Sequence, residues 1–230
     1  MPGNDDALVA AARLAVRLNR PDELWLEFGV HKGHTAMLLG RIHNSQVSSS
    51  TPIHGFDSFR GLPESWRQAP PHNASKAEIN AWRNWHSAGS FNLDGQPPFH
   101  DARVAWQVGW FNETLPPFLA KHPDRNVSLV HIDCDLYSSA ASALELLTPR
   151  LSPGALLIFD ELINYPEYER HELKALLELQ ARTGRTLRVL GTAAESVLRD
   201  EVQIRRVITK RGGEFPNMRP YQQDAAFMLL

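Results

Sequence analysis

Apolar positions along the chain follow two rhythms. Leu8, Ala11, Ala12, Ala15 and Leu18 recur at steps of three and four behind Asn4, Asp5 and Asp6. This predicts an amphipathic helix over residues 4–19, with a polar, acidic start suited to capping and to the helix dipole. The unbroken run LWLEFG, residues 24–29, predicts a buried strand, and the segment after VHKGH continues as a helix over 35–42. IHGFD (53–57), VAWQVGW (104–110), VSLVHID (127–133) and ALLIFDE (155–161) read as further strands. Helical spacing returns over 140–151 and again around Leu173, Leu176, Leu177 and Gln180. TLRVLG (186–191) and EVQIRRVITK (201–210) predict two late strands too close together for a crossover helix, hence antiparallel neighbours. The C-terminal string AAFMLL suits either a contact between copies of the chain or the completion of the sheet.

Alternation of strand and helix implies an α/β, Rossmann-like fold: a mostly parallel sheet with helices on both faces. With about 150 residues per domain as a guide, 230 residues predict one domain spanning 1–230. Between the second and third strands, residues 61–103 carry many prolines, a predicted short helix over 75–86, and Trp66, Trp82 and Trp85. An irregular segment of that length inside a compact domain reads as a lid or substrate-binding insertion.

Composition narrows the function classes. Twenty-four basic against 26 acidic residues leave a net charge of −2, with no field to hold nucleic acid or an anionic membrane. Cys134, the single cysteine, excludes an intrachain disulfide and a cysteine-rich zinc site. The acidic N-terminus does not resemble a signal peptide, and no apolar run reaches the roughly 18 residues of a bilayer span. A cytoplasmic protein is the expectation.

In open α/β sheets ligands bind beyond the carboxyl ends of the strands, so residues there are read for chemistry. Glu27 to Thr35 place Gly29 and Gly33 directly after the first strand, where they permit a tight turn and close ligand approach before a helix N-terminus. Asp57 ends the second strand, a position from which a carboxylate accepts ribose hydroxyls or simply forms a turn. Asp133 and Asp135 follow the fourth strand, and Asp160 and Glu161 the fifth. Neighbouring parallel strand ends lie about 5 Å apart, so these acids converge either as an oxygen site for magnesium or as helix caps. Among ten histidines, His131 reads as packed core, while His171, and after it His86, are candidates for proton transfer. Trp110 and Phe111 either flank a flat heterocycle or pack as core.

Five strings in order, LEFGVHKGHT, GFDSFRGLPESW, GWFNETLPPFL, HIDCDLYSSA and IFDELINYP, resemble the macrocin O-methyltransferase-like group of class I S-adenosylmethionine-dependent methyltransferases. The likeness spans about residues 23–180. It implies a seven-stranded sheet whose last strand is antiparallel, and S-adenosyl-L-methionine as cofactor. Glu27, Gly29, Gly33 and Thr35 would hold its methionine part, Glu27 through the ammonium group. Asp57 with Ser58 would hold the ribose, and Gly109, Trp110 and Phe111 would border the adenine. Asp133 would stand where cofactor and metal meet. The resemblance also implies Mg2+ held by Asp133 or Asp135 together with Asp160 and Glu161, although the antibiotic enzymes carry two aspartates where this chain has Asp160-Glu161. A metal-free variant would use an aspartate or His171 as base. The implied reaction is in-line methyl transfer to a hydroxyl of a sugar or natural-product acceptor, with Asp133 and His171 as the catalytic candidates and a homo-oligomer as the expected assembly. Two other classes fit the glycine loop and ribose acid: a nicotinamide-dependent oxidoreductase and a non-catalytic nucleotide-binding module.

Overall fold

The computed structural model describes residues 6–46, 51–67, 73, 75, 86–163, 165, 167–192 and 223–230. The elements in order are α1 (Asp6–Leu18), β1 (Leu24–Phe28), α2 (His34–Gln46), β2 (Ile53–Asp57), β3 (Val104–Val108), α3 (Phe111–Lys121), β4 (Val127–Ile132), α4 (Tyr137–Leu147), β5 (Leu151–Phe159), α5 (Glu172–Thr183), β6 (Leu187–Thr192) and β7 (Ala225–Leu229). They form one seven-stranded sheet of order β3-β2-β1-β4-β5-β7-β6. β1 pairs in parallel with β2 and β4, β2 with β3, and β4 with β5, whereas β7 runs antiparallel to both β5 and β6.

Burial explains the placement of the strands. All five residues of β1 and all six of β4 are buried, as near-continuous apolar strands must be when both sheet faces are covered. One face packs on α1 and α2 through Trp25, Leu129, Leu156 and Ile158, with Ala11 and Ala12 of α1 allowing close approach. The other packs on α3, α4 and α5 through Phe28, Phe56, Phe118, Leu144, Phe159 and Leu176. Phe28 stacks on Phe56 at 4.8 Å and receives the edge of Phe111 at 5.1 Å.

The structure amends three sequence readings. The late strand expected at 201–210 lies outside the described residues. The antiparallel strand beside β6 is β7, so AAFMLL completes the sheet. The helix expected over 140–151 is instead α4, ending at Leu147 and followed by a 3-10 turn, Thr148–Arg150. β5 then begins at Leu151 and absorbs Pro153 and Gly154 through a register shift against β4 between Val127 and Leu129.

In the long segment between β2 and β3, the helix expected over 75–86, with Trp82 and Trp85, falls almost wholly outside the described residues. Its flanks are described. Trp66 pairs with His86 through backbone hydrogen bonds and a ring stack, and its indole is buried in the core. Residues 89–95 return to residues 59–62 through four backbone hydrogen bonds: Leu62 to Ser90, Gly89 to Leu62, and Leu93 and Gly95 to Phe59. Among the described residues no helix is long and apolar enough to cross a membrane.

Candidate active site

The strand order reverses between β1 and β4, and a cavity of about 570 Å³ opens beyond their carboxyl ends. The glycine turn after β1 forms one wall. Gly29 has φ +84°, and a Cβ there would stand 1.7 Å from the Asp133 carbonyl oxygen. Only glycine lets the β1 turn pass so close to the β4 turn. Gly33, at φ +73°, instead meets the Phe99 ring, 2.7 Å from where its Cβ would be. Asp57 braces the same turn: Val30 and His31 N–H donate to Oδ2 at 2.8 and 2.9 Å, and Phe59 N–H donates to Oδ1 at 2.7 Å. Three of the roughly four acceptor positions of this carboxylate are therefore used by the chain itself.

Beside this turn the site is acidic. Asp133 leaves β4, and Asp160 and Glu161 leave the adjacent β5; one oxygen from each lies within 4.8 Å of the others. Burial, compounded by the other acids, holds the Asp133 and Glu161 carboxyls well above the usual carboxylate range. Asp135 stands outside this triangle, in the left-handed region at φ +62° and buried. Burial and Asp160 push it up to about 7 while the Arg67 guanidinium pulls the other way. Of the two alternatives the sequence offered beside Asp160 and Glu161, Asp133 is the one grouped with them, and Asp135 lies outside that group.

Next to Asp133 lies a buried polar pair. His131 Nδ1 is 3.0 Å from Glu27 Oε1, and both side chains are almost wholly enclosed. Burial lowers the imidazole, yet the hydrogen bond and charge of Glu27, with Asp160 and Asp224 beyond, hold it above its ordinary value. Glu27 Oε2 is buried and accepts no hydrogen bond among the described residues. His131 is buried as expected of a core residue, and its partner there is Glu27.

Of the residues singled out in the sequence, Gly29, Asp57, Ser58, Trp110, Phe111, Asp133, Asp135 and Glu161 line the cavity. Glu27, Gly33, Thr35, Gly109, Asp160 and His171 are outside its lining. His171 packs among rings, 6.3 Å from Trp66 and 6.0 Å from Tyr165, with burial lowering its pKa. It does not face the crevice as expected.

Two residues escaped the sequence reading. Glu172, at the start of α5 and fully buried, accepts the Cys134 N–H at 3.3 Å and so holds the turn between Asp133 and Asp135. Arg67 is buried against the faces of Trp66 and Tyr165 at 4.4 and 5.3 Å. Glu172 is separated from its partner by 38 positions, so local pattern carries no signal for it; Arg67 follows Trp66 directly but reads as an ordinary loop cation.

The family model for macrocin-O-methyltransferase (TylF) matches residues 8–175. A Streptomyces olivaceus protein, 8-demethyl-8-(2,3-dimethoxy-alpha-L-rhamnosyl)-tetracenomycin-C 4'-O-methyltransferase, is 28% identical over 149 residues, covering 59% of this chain and 51% of that protein. Demethyldecarbamoylnovobiocin O-methyltransferase of Streptomyces niveus is 27% identical over 159 residues, 64% of this chain and 55% of that one. The chain spans about half the length of the curated relatives it matches. Among solved structures, the calicheamicin methyltransferase CalS11 superposes with a TM-score of 0.58 at 23% identity, covering 97% of this chain and 78% of that one. The O-methyltransferase NovP gives 0.55 at 18%, covering 96% and 77%. These two likenesses establish the shared fold.

Proposed function

The chain belongs to the macrocin O-methyltransferase (TylF) family, and from that premise we propose that it transfers a methyl group from S-adenosyl-L-methionine to a hydroxyl of a sugar-bearing natural product. The observation that carries this reading is the triangle of Asp133, Asp160 and Glu161 at a cavity over the switch point, with Asp135 beside it. The acceptor class follows from the relatives, whose names describe a rhamnosylated tetracenomycin and a novobiocin precursor.

The residues fit the cofactor. Glu27 lies just outside the cavity lining, and its Oε2, buried with no hydrogen-bond partner among the described residues, would accept from the ammonium group. The close passage of Gly29 over Asp133 brings the β1 and β4 turns together at the cavity, beside which the methionine chain would lie. Trp110 and Phe111 on the cavity wall offer flat apolar surface for adenine. Asp57 serves first to hold the turn and retains about one acceptor position for a ribose hydroxyl. The residues also fit a hard divalent cation: three carboxylates within 4.8 Å repel one another until a cation joins them. When bound, the cofactor supplies an electrophilic methyl group and magnesium supplies Lewis acidity toward the acceptor hydroxyl.

The chain's own contribution is alignment and proton removal. Asp135 lines the cavity but lies outside the triangle of Asp133, Asp160 and Glu161, so its carboxylate is the one placed to take the acceptor's hydroxyl proton. That assignment replaces Asp133, which belongs to the triangle, and His171, which packs elsewhere. Leu62, Pro63 and Phe91 enclose the cavity from the β2–β3 segment and exclude water. The nicotinamide-dependent alternative finds no counterpart in the sheet, because β7 inserted between β5 and β6 is absent from the usual dinucleotide order.

Calorimetric titration with S-adenosylhomocysteine, in EDTA and then in magnesium, tests the cofactor assignment. Methyl transfer to rhamnosylated aromatic acceptors tests the reaction. Micromolar binding with magnesium-stimulated transfer is expected; absence of binding under both conditions refutes the assignment.

A further inference from the structure

The pairing of Glu27 with His131 has its origin in the sheet. Glu27 on β1 and His131 on β4 are register partners in adjacent parallel strands, flanked by Gly55 on one side and Ile158 on the other. Their side chains therefore emerge on one face, next to each other, in a row otherwise built of apolar residues and a glycine. Glu27 is 0% and His131 1% exposed, and burying a carboxylate in such a row is costly without partners. The row supplies one, the ring nitrogen 3.0 Å from Oε1. The other oxygen, Oε2, has none among the described residues. One oxygen is thus anchored and the other is buried and unpartnered, close to the residue that reaches the cavity: one ligand atom from each of Glu27, His131 and Asp133 lies within 4.8 Å of the others.

We propose that His131 is a positioning residue: by donating from Nδ1 to Glu27 Oε1 it fixes the carboxylate so that Oε2 is presented to the ammonium group of the cofactor. A carboxylate left to rotate in this row would have to be ordered at each binding event, and the anchoring hydrogen bond removes that cost in advance. The inference rests on the cofactor reading above and deepens it by separating the amino-acid end of the ligand from the nucleoside end. His131 acts on the former only.

Two probes distinguish the ends: S-adenosylhomocysteine, which carries the ammonium, and methylthioadenosine, which lacks it. Their dissociation constants are measured calorimetrically for the wild type and for His131→Leu, His131→Asn and His131→Gln. Asparagine places an amide nitrogen where Nδ1 lies, and glutamine places one further out, while both keep a polar side chain in the row. The leucine and glutamine variants are expected to bind S-adenosylhomocysteine about tenfold or more weakly. All three should bind methylthioadenosine as the wild type does, and asparagine should restore S-adenosylhomocysteine binding to within about threefold. Equal losses for both probes, or equal S-adenosylhomocysteine affinity in the asparagine and glutamine variants, overturn the positioning role. The asparagine–glutamine contrast keeps this decision available if His131→Leu does not fold. A wild type that binds neither probe overturns the cofactor reading itself and the positioning role with it.

Discussion

His54 offers a quantitative test of how this sheet depends on pH. It lies on β2, 7% exposed, with neither ring nitrogen hydrogen-bonded among the described residues. The Phe118 ring packs edge-on at 4.7 Å, and His122 lies 5.7 Å away. Burial, then the charges of His122, Arg125 and His43 on the surrounding elements, depress its pKa to about 4 from 6.5. Between those values the unfolded chain binds the proton and the folded one does not, so stability rises with pH. The contribution is fully present above about pH 6.5 and is lost as pH falls through the window toward 4. The full shift of 6.5 − 4 = 2.5 corresponds to about 3 kcal/mol at 1.36 kcal/mol each. Going from pH 7.5 to pH 5 covers about 2 kcal/mol of it. His54→Leu removes the titration and also two unsatisfied nitrogens, so at pH 7.5 it should be at least as stable as the wild type. Urea unfolding at the two pH values, run on both proteins, isolates His54 because every other titrating group is common to them. The wild type should lose about 2 kcal/mol more than the variant across the interval. Parallel losses in the two proteins would refute the argument.

Other consequences concern the site. Gly29→Ala places a Cβ on the Asp133 carbonyl at positive φ, so it should abolish S-adenosylhomocysteine binding in calorimetry and lower the melting temperature by several degrees. Asp135→Asn should lower kcat by about a hundredfold or more while leaving the S-adenosylhomocysteine dissociation constant unchanged, the pattern of a lost general base. Glu172→Gln keeps an acceptor for the Cys134 N–H and relieves repulsion among the acids, so urea unfolding should show it no less stable than wild type. Glu172→Ala leaves that buried N–H unpaired and should cost about 1–3 kcal/mol in the same assay.

The parts of this fold legible from sequence were those in which local pattern and burial agree. LWLEF, IHGFD and VSLVHI are compact apolar runs that stop at a glycine or an acid, and they are strands β1, β2 and β4. Asp133, Asp160 and Glu161 were legible as a group because adjacent parallel strands bring their ends together. β7 was harder: EVQIRRVITK alternates as a half-exposed strand does, whereas a strand with neighbours on both sides, such as AAFML, reads as an unbroken apolar run of ambiguous use. β5 was shortened in the reading because Pro153 and Gly154 signal a turn, yet a register shift keeps them in the strand. The Glu27–His131 pair joins residues 104 positions apart. Nothing in either neighbourhood distinguishes His131 from packed core, and only the strand register reveals its partner.

The position of β7 also shapes how the sheet is assembled during synthesis. Among the described residues β6 has β7 as its only strand neighbour, so it joins the sheet through a strand that leaves the ribosome after it. Until residues 225–229 arrive, β5 presents an apolar strand with unpaired backbone groups along one side, a surface open to pairing with other chains. The parallel half, β3-β2-β1-β4-β5, can form earlier, because every one of its strands precedes α5. Closure of the second half then waits for β7, which caps β5 and captures β6 together.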